Sequence, residues 1–134
     1  MFDKARPDAP FNPWKLFKIH AREYIVRKAD QKYRGTMKQC WTNSIKYVLR
    51  NNWIYVEGFV IVHGVPLHHA WNIDDKGNIV DCTIYEENNY SYIGMVIPKN
   101  WLFAATNSKR WEISEGVIST ITKFSNEELE NLKE

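Results

Sequence analysis

One cysteine, one histidine and one aspartate of this 134-residue chain follow one another in the order of a thiol nucleophile, its base and the base's orienting group. Cys40 lies in a stretch with helical periodicity, and His69 and Asp81 lie in two segments that alternate as β-strands do. In such a set the thiol attacks a carbonyl carbon, the histidine takes up and returns the proton, and the aspartate fixes the tautomer of the imidazole. The three residues therefore predict acyl transfer or amide hydrolysis.

His69 and Asp81 can work together only if they project from the same face of a β-hairpin. Residues 67–83 alternate on both sides of a polar turn that contains Gly77, a pattern typical of a hairpin. Since side chains alternate between faces, an odd-numbered loop puts the two residues on one face and an even-numbered loop separates them. A loop of residues 74–76 makes them directly opposite, and a loop of residues 75–77, with Gly77 left-handed, makes them diagonal neighbours. We expect an odd-numbered loop and a hydrogen bond between the two side chains.

The cysteine is predicted to lie at the start of a helix. Thr36 and Gln39 have the spacing of a capping box, and the helical pattern ends near Asn51. Cys40 then falls in or just after the first turn, where free N–H groups and the helix dipole favour a thiolate. The alternative interpretation is a small buried hydrophobic residue, which is the common role of a free cysteine.

The residues around this set resemble a known superfamily. QCWTNS at Cys40, HAW at His69 and DCT at Asp81 are similar to the transglutaminase-like branch of the papain-like cysteine hydrolases. With YVEG and GNIVDCT added, the chain resembles small, largely uncharacterised bacterial and phage proteins that carry the same array. The resemblance covers about residues 36–97. It implies an α+β fold with a papain-like or transglutaminase-like core, in which N-terminal helices pack on an antiparallel β-sheet. It also implies a Cys40–His69–Asp81 catalytic triad, without a cofactor, acting on a protein or peptide-like amide as a peptidase, deamidase or transglutaminase.

One departure from the papain pattern concerns the group that stabilises the oxyanion. Papain-type peptidases carry a glutamine shortly before the nucleophile, and Arg34 occupies that place in this chain. The Gln39 side chain and a backbone N–H of Cys40 or Trp41 are the expected donors instead.

Three further residues are candidates for the wall of the cleft, and each has a simpler interpretation. Asn43 could orient substrate or merely pack beside the nucleophile helix. Glu57 could line the cleft or be an exposed carboxylate on a strand. Trp71 could shield His69 from water or be an ordinary core residue.

The remainder of the chain predicts one domain, residues 1–134, with an extended tail over residues 1–12. Asn12 and Pro13 start a helix. Its apolar residues recur at helical spacing to about residue 29: Trp14, Phe17, Ala21, Tyr24 and Ile25. Strands are expected over residues 53–63 and 92–97, with a short helix or turn over residues 101–105. Ser125 and Glu128 form a capping box that opens a C-terminal helix over residues 125–134.

Composition argues against several classes of protein. The net charge is only +2, so the one-sided basic excess of a nucleic-acid-binding protein is missing. No apolar run has the length of a membrane span, and two cysteines do not make a disulfide framework. A cytoplasmic protein without nucleic-acid or membrane partners is predicted. His68 and His69 point to opposite faces of a strand and cannot easily share an ion, so no metal site is predicted around His63, His68 and Cys82.

A second class of function is also open, namely a catalytically idle domain that uses the same fold to bind a protein or peptide. Rapid and selective alkylation of Cys40 would separate the two, because a binding domain has no need of a reactive thiolate.

Overall fold

A computed structural model describes residues 9–25, 27–28, 40–84, 90–107 and 116–133. These residues form an α+β fold, as predicted. The helices are α1 (Pro13–His20), α2 (Cys40–Asn51), α3 (Lys99–Asn107), α4 (Val117–Thr122) and α5 (Asn126–Leu132). The strands are β1 (Arg22–Tyr24), β2 (Arg27–Lys28), β3 (Ile54–Val62), β4 (Val65–Ile73), β5 (Ile79–Asp81) and β6 (Ser91–Val96).

The strands form one curled sheet in the order β1-β6-β3-β4-β5-β2. All neighbours are antiparallel except β2, which lies parallel to β5 at the edge. Consecutive residues of a strand face opposite sides, and the central strands are buried on both. Tyr55 and Ala70 belong to the larger apolar cluster beneath the helices, and Val56 and Trp71 belong to a second cluster on the other face. Both faces of β3 therefore pack against buried apolar side chains.

The first helix begins as predicted and ends much earlier. Asn12 accepts hydrogen bonds from the backbone N–H groups of Trp14 and Lys15, with Pro13 as the first helical residue. The helix stops at His20, and the following residues form β1 along the edge of β6. A helix to residue 29 was wrong because edge pairing with β6 outweighs the helical spacing of the apolar residues.

Several other predicted features are confirmed. α2 ends at Asn51, and Asn52 has the left-handed conformation (φ 57°) that terminates a helix. Ser125 and Glu128 form the reciprocal hydrogen bonds of a capping box at the start of α5. The capping box expected over residues 36–39 and most of the N-terminal tail lie outside the described residues. Among the described helices, none is both long and apolar enough to cross a membrane.

Candidate active site

The loop between β4 and β5 has the parity that the hairpin prediction requires. Residues 74–78 form a loop of five residues between the paired strands, with Ile73 opposite Ile79. The Asp74 carboxylate accepts the N–H groups of Lys76 and Asn78 at 2.9 and 2.8 Å, and Gly77 has a φ of 82°. The loop is thus centred on Lys76. Of the two registers that the sequence left open, this is the one in which His69 and Asp81 are diagonal neighbours. The predicted odd-numbered loop is confirmed.

This register places His69 and Asp81 in contact. The His69 Nε2 and the Asp81 Oδ2 are 2.7 Å apart, and both side chains are buried. The other oxygen of Asp81 accepts the backbone N–H groups of Thr83 and Ile84, and Tyr92 donates its hydroxyl to Oδ2. Four donors therefore fix the carboxylate, and the predicted hydrogen bond to His69 is confirmed.

Cys40, the first residue of α2, reaches the same histidine. β5 is only three residues long and pairs with β4 at Asn72 and Ile73, so this pairing stops short of His69. Hydrogen bonding and charge from Cys40 are among the causes that raise the pKa of His69, so the thiol lies near the ring. Because Nε2 is bonded to Asp81, Nδ1 is the ring nitrogen left to interact with the sulfur. The thiol is 8% exposed and the histidine 5% exposed.

The charges around His69 favour its protonated form. Burial on its own would lower the pKa of His69, but the hydrogen bond and charge of Asp81, followed by those of Cys40, outweigh burial. Together they raise the pKa from 6.5 to about 9. At neutral pH the ring is therefore an imidazolium held between a carboxylate and a sulfur.

Trp71 covers the imidazole, as one of its two predicted roles requires. The two rings stack with centroids 6.1 Å apart at 27°, and Trp71 is fully buried. The close approach of β6 holds it there, since a Cβ on Gly94 would lie 2.7 Å from the Trp71 ring. Trp71 is thus a core residue and at the same time excludes water from one face of His69.

Asn43 joins the nucleophile helix to the segment that follows Asp81. Its side-chain amide donates to the Thr83 hydroxyl at 2.8 Å, and both residues are buried. The bond ties the first turn of α2 to the residue whose backbone N–H holds the Asp81 carboxylate. Its contacts support a structural role for Asn43 in aligning Cys40 with the histidine.

Glu57 was expected to be an exposed carboxylate or to line the cleft, and the first of these was wrong. It is 0% exposed and accepts the Tyr55 hydroxyl at 2.6 Å. Its oxygens also accept the first two backbone N–H groups of α4, those of Val117 and Ile118, at 2.7 and 2.9 Å. The carboxylate thus caps α4, whose own N-cap residue, Gly116, has no side chain to do so.

Tyr55 connects the Glu57 carboxylate to the neighbourhood of the thiol. Burial, followed by the charge of Glu57, raises the pKa of Tyr55 well above its usual value, and the charge of Cys40 adds to this. The hydroxyl is therefore a neutral donor that points at Glu57. On the same face, the His68 Nε2 lies 3.4 Å from the Glu57 Oε2, within a group of aromatic rings that includes Trp41 and Phe59.

Of the two residues predicted to donate to the oxyanion, the structure describes Trp41 and not Gln39. Gln39 lies outside the described residues. Trp41 is buried on the helical side of the sheet, and its ring contacts His68 at 4.8 Å. Its backbone N–H belongs to the first turn of α2, one residue after Cys40, and its role as an oxyanion donor stays a prediction.

Comparison of the chain with family models, with curated proteins and with solved structures found no match. What the site can do must therefore be argued from its own geometry.

Cys82 has the character of a structural thiol. It is free and buried in a cluster with Tyr47, Trp53 and Val80, separate from the cluster around Trp71 and Tyr92. Burial, followed by the charge of Asp81, raises the pKa of Cys82 to about 12. Within the described part of the chain, no three His, Cys, Asp or Glu side chains are grouped so that they could hold a metal ion.

Sequence reasoning missed Tyr92 as a residue of the site, and it missed the full burial of Glu57. Tyr92 reaches Asp81 because β6 returns to pair with β3, and the sequence contains no local signal for that register. Glu57 had a weak signal, since a carboxylate between Val56 and Gly58 in an otherwise apolar strand requires a specific partner when it is buried.

Proposed function

We propose that this protein is a cysteine-dependent acyl-transfer enzyme or amide hydrolase with a papain-like or transglutaminase-like core. The observation that carries the proposal is the buried His69 ring, which bonds Asp81 through Nε2 and whose pKa is raised by Asp81 and then by Cys40. A histidine in this position can exchange a proton with the sulfur while the carboxylate supports its charge.

The reaction follows from these contacts. The Cys40 sulfur attacks the carbonyl carbon of an amide, and a C–S bond forms as the carbonyl becomes an oxyanion. The His69 imidazolium gives its proton to the departing amine as the C–N bond breaks, which leaves a thioester on Cys40. Water or a second amine, deprotonated by His69, then attacks the thioester and releases the thiol. Asp81 keeps Nδ1 directed at the reacting atoms throughout.

Binding without catalysis is the second candidate, and one observation favours it. Both Cys40 and His69 are nearly buried, and neither side chain lines the cavity at β1 and β6. A protein that uses this fold only to bind a peptide would have no requirement for an accessible nucleophile.

Acylation by p-nitrophenyl acetate separates the two functions without knowledge of the natural substrate. We expect a rapid release of one equivalent of p-nitrophenol and an acetyl group on Cys40 by peptide mass spectrometry. Cys82→Ala should behave like the wild type, and His69→Ala should lower the acylation rate by about 10²–10⁴-fold. Acetylation of Cys40 no faster in the wild type than in His69→Ala would contradict the proposal and favour the binding domain.

A further inference from the structure

A cavity of about 480 Å³ lies between α1, β1, the end of β6 and the start of α3. This volume is within the range of small-molecule sites. Most of its lining is apolar: Leu16, Met95, Val96, Pro98 and Trp101. The Cys40 and His69 side chains do not line it, so the cavity is separate from the proposed catalytic centre.

The polar part of the lining includes one cationic side chain. Among the described residues that border the cavity, Arg22 is the charged one, His20 and Tyr24 are the other polar ones, and none is Asp or Glu. β1 pairs with β6 only as far as Gly94, so the pairing of the two strands ends before Met95 and Val96, which line the cavity. A ligand that matches this lining has an apolar body and one negatively charged end.

Arg22 is oriented before any ligand arrives. Its Nε donates to the Tyr24 hydroxyl at 3.1 Å, and its guanidinium carbon lies 5.0 Å from the centre of the Tyr24 ring. These two contacts use one side of the guanidinium and leave its terminal nitrogens as the pair that binds a carboxylate in bidentate fashion. The tyrosine itself is fixed, because it packs edge-on against Trp71.

We infer that this cavity is a binding site for a small organic carboxylate with an apolar body, with Arg22 as the anion-recognising residue. Trp101 and Met95 supply apolar lining, and His20 also borders the cavity. The inference stands independently of the chemistry of Cys40.

Calorimetry with two matched probes tests the inference on the intact protein. 2-Naphthylacetate and 2-naphthylacetamide share their shape, and only the first carries a charge. We expect the carboxylate to bind the wild type at least about tenfold more tightly than the amide. Equal binding of the two probes, or no binding of the carboxylate at 5 mM, would overturn the inference.

Three variants locate the site. Arg22→Gln should lose the preference for the carboxylate, and Arg50→Gln, at the exposed end of α2, should keep it. Val96→Trp fills the cavity from the half-exposed end of β6 and should abolish binding of both probes with the circular dichroism spectrum unchanged. Carboxylate binding that survives both Arg22→Gln and Val96→Trp would place the ligand elsewhere and refute the assignment.

Discussion

Asp81→Asn tests the electrostatic origin of the charged histidine, because the substitution keeps the shape of the side chain and removes its charge. The raised pKa of His69, about 9, is the result of burial, which lowers it, and of Asp81 and Cys40, which together raise it more. Loss of an adjacent opposite charge typically changes a pKa by about 1–3 units. We therefore expect His69 in the variant to titrate well below pH 9, as followed by ¹³C-detected NMR of the imidazole.

The same perturbation has a measurable effect on stability. A histidine whose pKa rises from 6.5 in the unfolded chain to about 9 in the folded chain stabilises the fold by on the order of 3 kcal/mol. Because the folded state binds the proton more tightly, this contribution is complete below pH 6.5 and is lost as pH rises through about 9. Removal of the Asp81 charge should remove most of this pH dependence.

Urea unfolding at about pH 6 and at about pH 9.5 measures the difference directly. The wild type should lose about 2–3 kcal/mol more stability between the two pH values than Asp81→Asn does. Asp75→Asn, at the exposed tip of the same hairpin, is the matched control and should behave like the wild type. If Asp81→Asn and the wild type lost the same stability between these pH values, the account of His69 would be wrong.

Three further substitutions test the packing around the site by chemical denaturation. Glu57→Gln should lower the free energy of unfolding by about 2 kcal/mol, because the buried amide N–H₂ must face one of the N–H donors that now bond the carboxylate. Glu23→Gln, at an exposed position of β1, is the control and should be within about 0.5 kcal/mol of the wild type. Gly94→Ala should lower the free energy of unfolding by about 1–3 kcal/mol and slow the acylation of Cys40, because the new methyl group displaces Trp71 from His69. Unchanged stability and rate would show that the rings of Trp71 and His69 can separate without cost. Tyr92→Phe removes one donor to Asp81 and should cost about 1 kcal/mol, and unchanged stability would mean that the hydroxyl bond contributes nothing.

The parts of the site that sequence reasoning predicted are those set by local chemistry. The loop that follows β4 is specified by two residues. Asp74 supplies a carboxylate that accepts backbone N–H groups, and Gly77 adopts the left-handed conformation. Once the parity of that loop is known, strand alternation brings His69 and Asp81 to one face without any knowledge of the rest of the fold. The C-terminal end of α2 and the cap of α5 were predicted for the same reason.

The parts that could not be predicted depend on contacts between distant segments. The end of α1 is decided by the pairing of Arg22–Tyr24 with β6, about seventy residues later, which no window of local periodicity contains. The burial of Glu57 depends on α4, which supplies two backbone donors from a segment whose sequence pattern was ambiguous. The papain-like or transglutaminase-like core remains a prediction that rests on the resemblance of residues 36–97.

Alkylation of the two thiols by iodoacetamide at pH 7.5, followed by peptide mass spectrometry, tests the proposed function most directly. Cys82 should be almost inert, because a pKa of about 12 leaves on the order of one molecule in 10⁴ as thiolate and the sulfur is buried. Cys40 should react at least about a hundredfold faster, and His69→Ala should remove most of that advantage. Equal rates for the two cysteines, or a Cys40 rate indifferent to His69→Ala, would contradict the assignment of Cys40 as a nucleophile activated by His69.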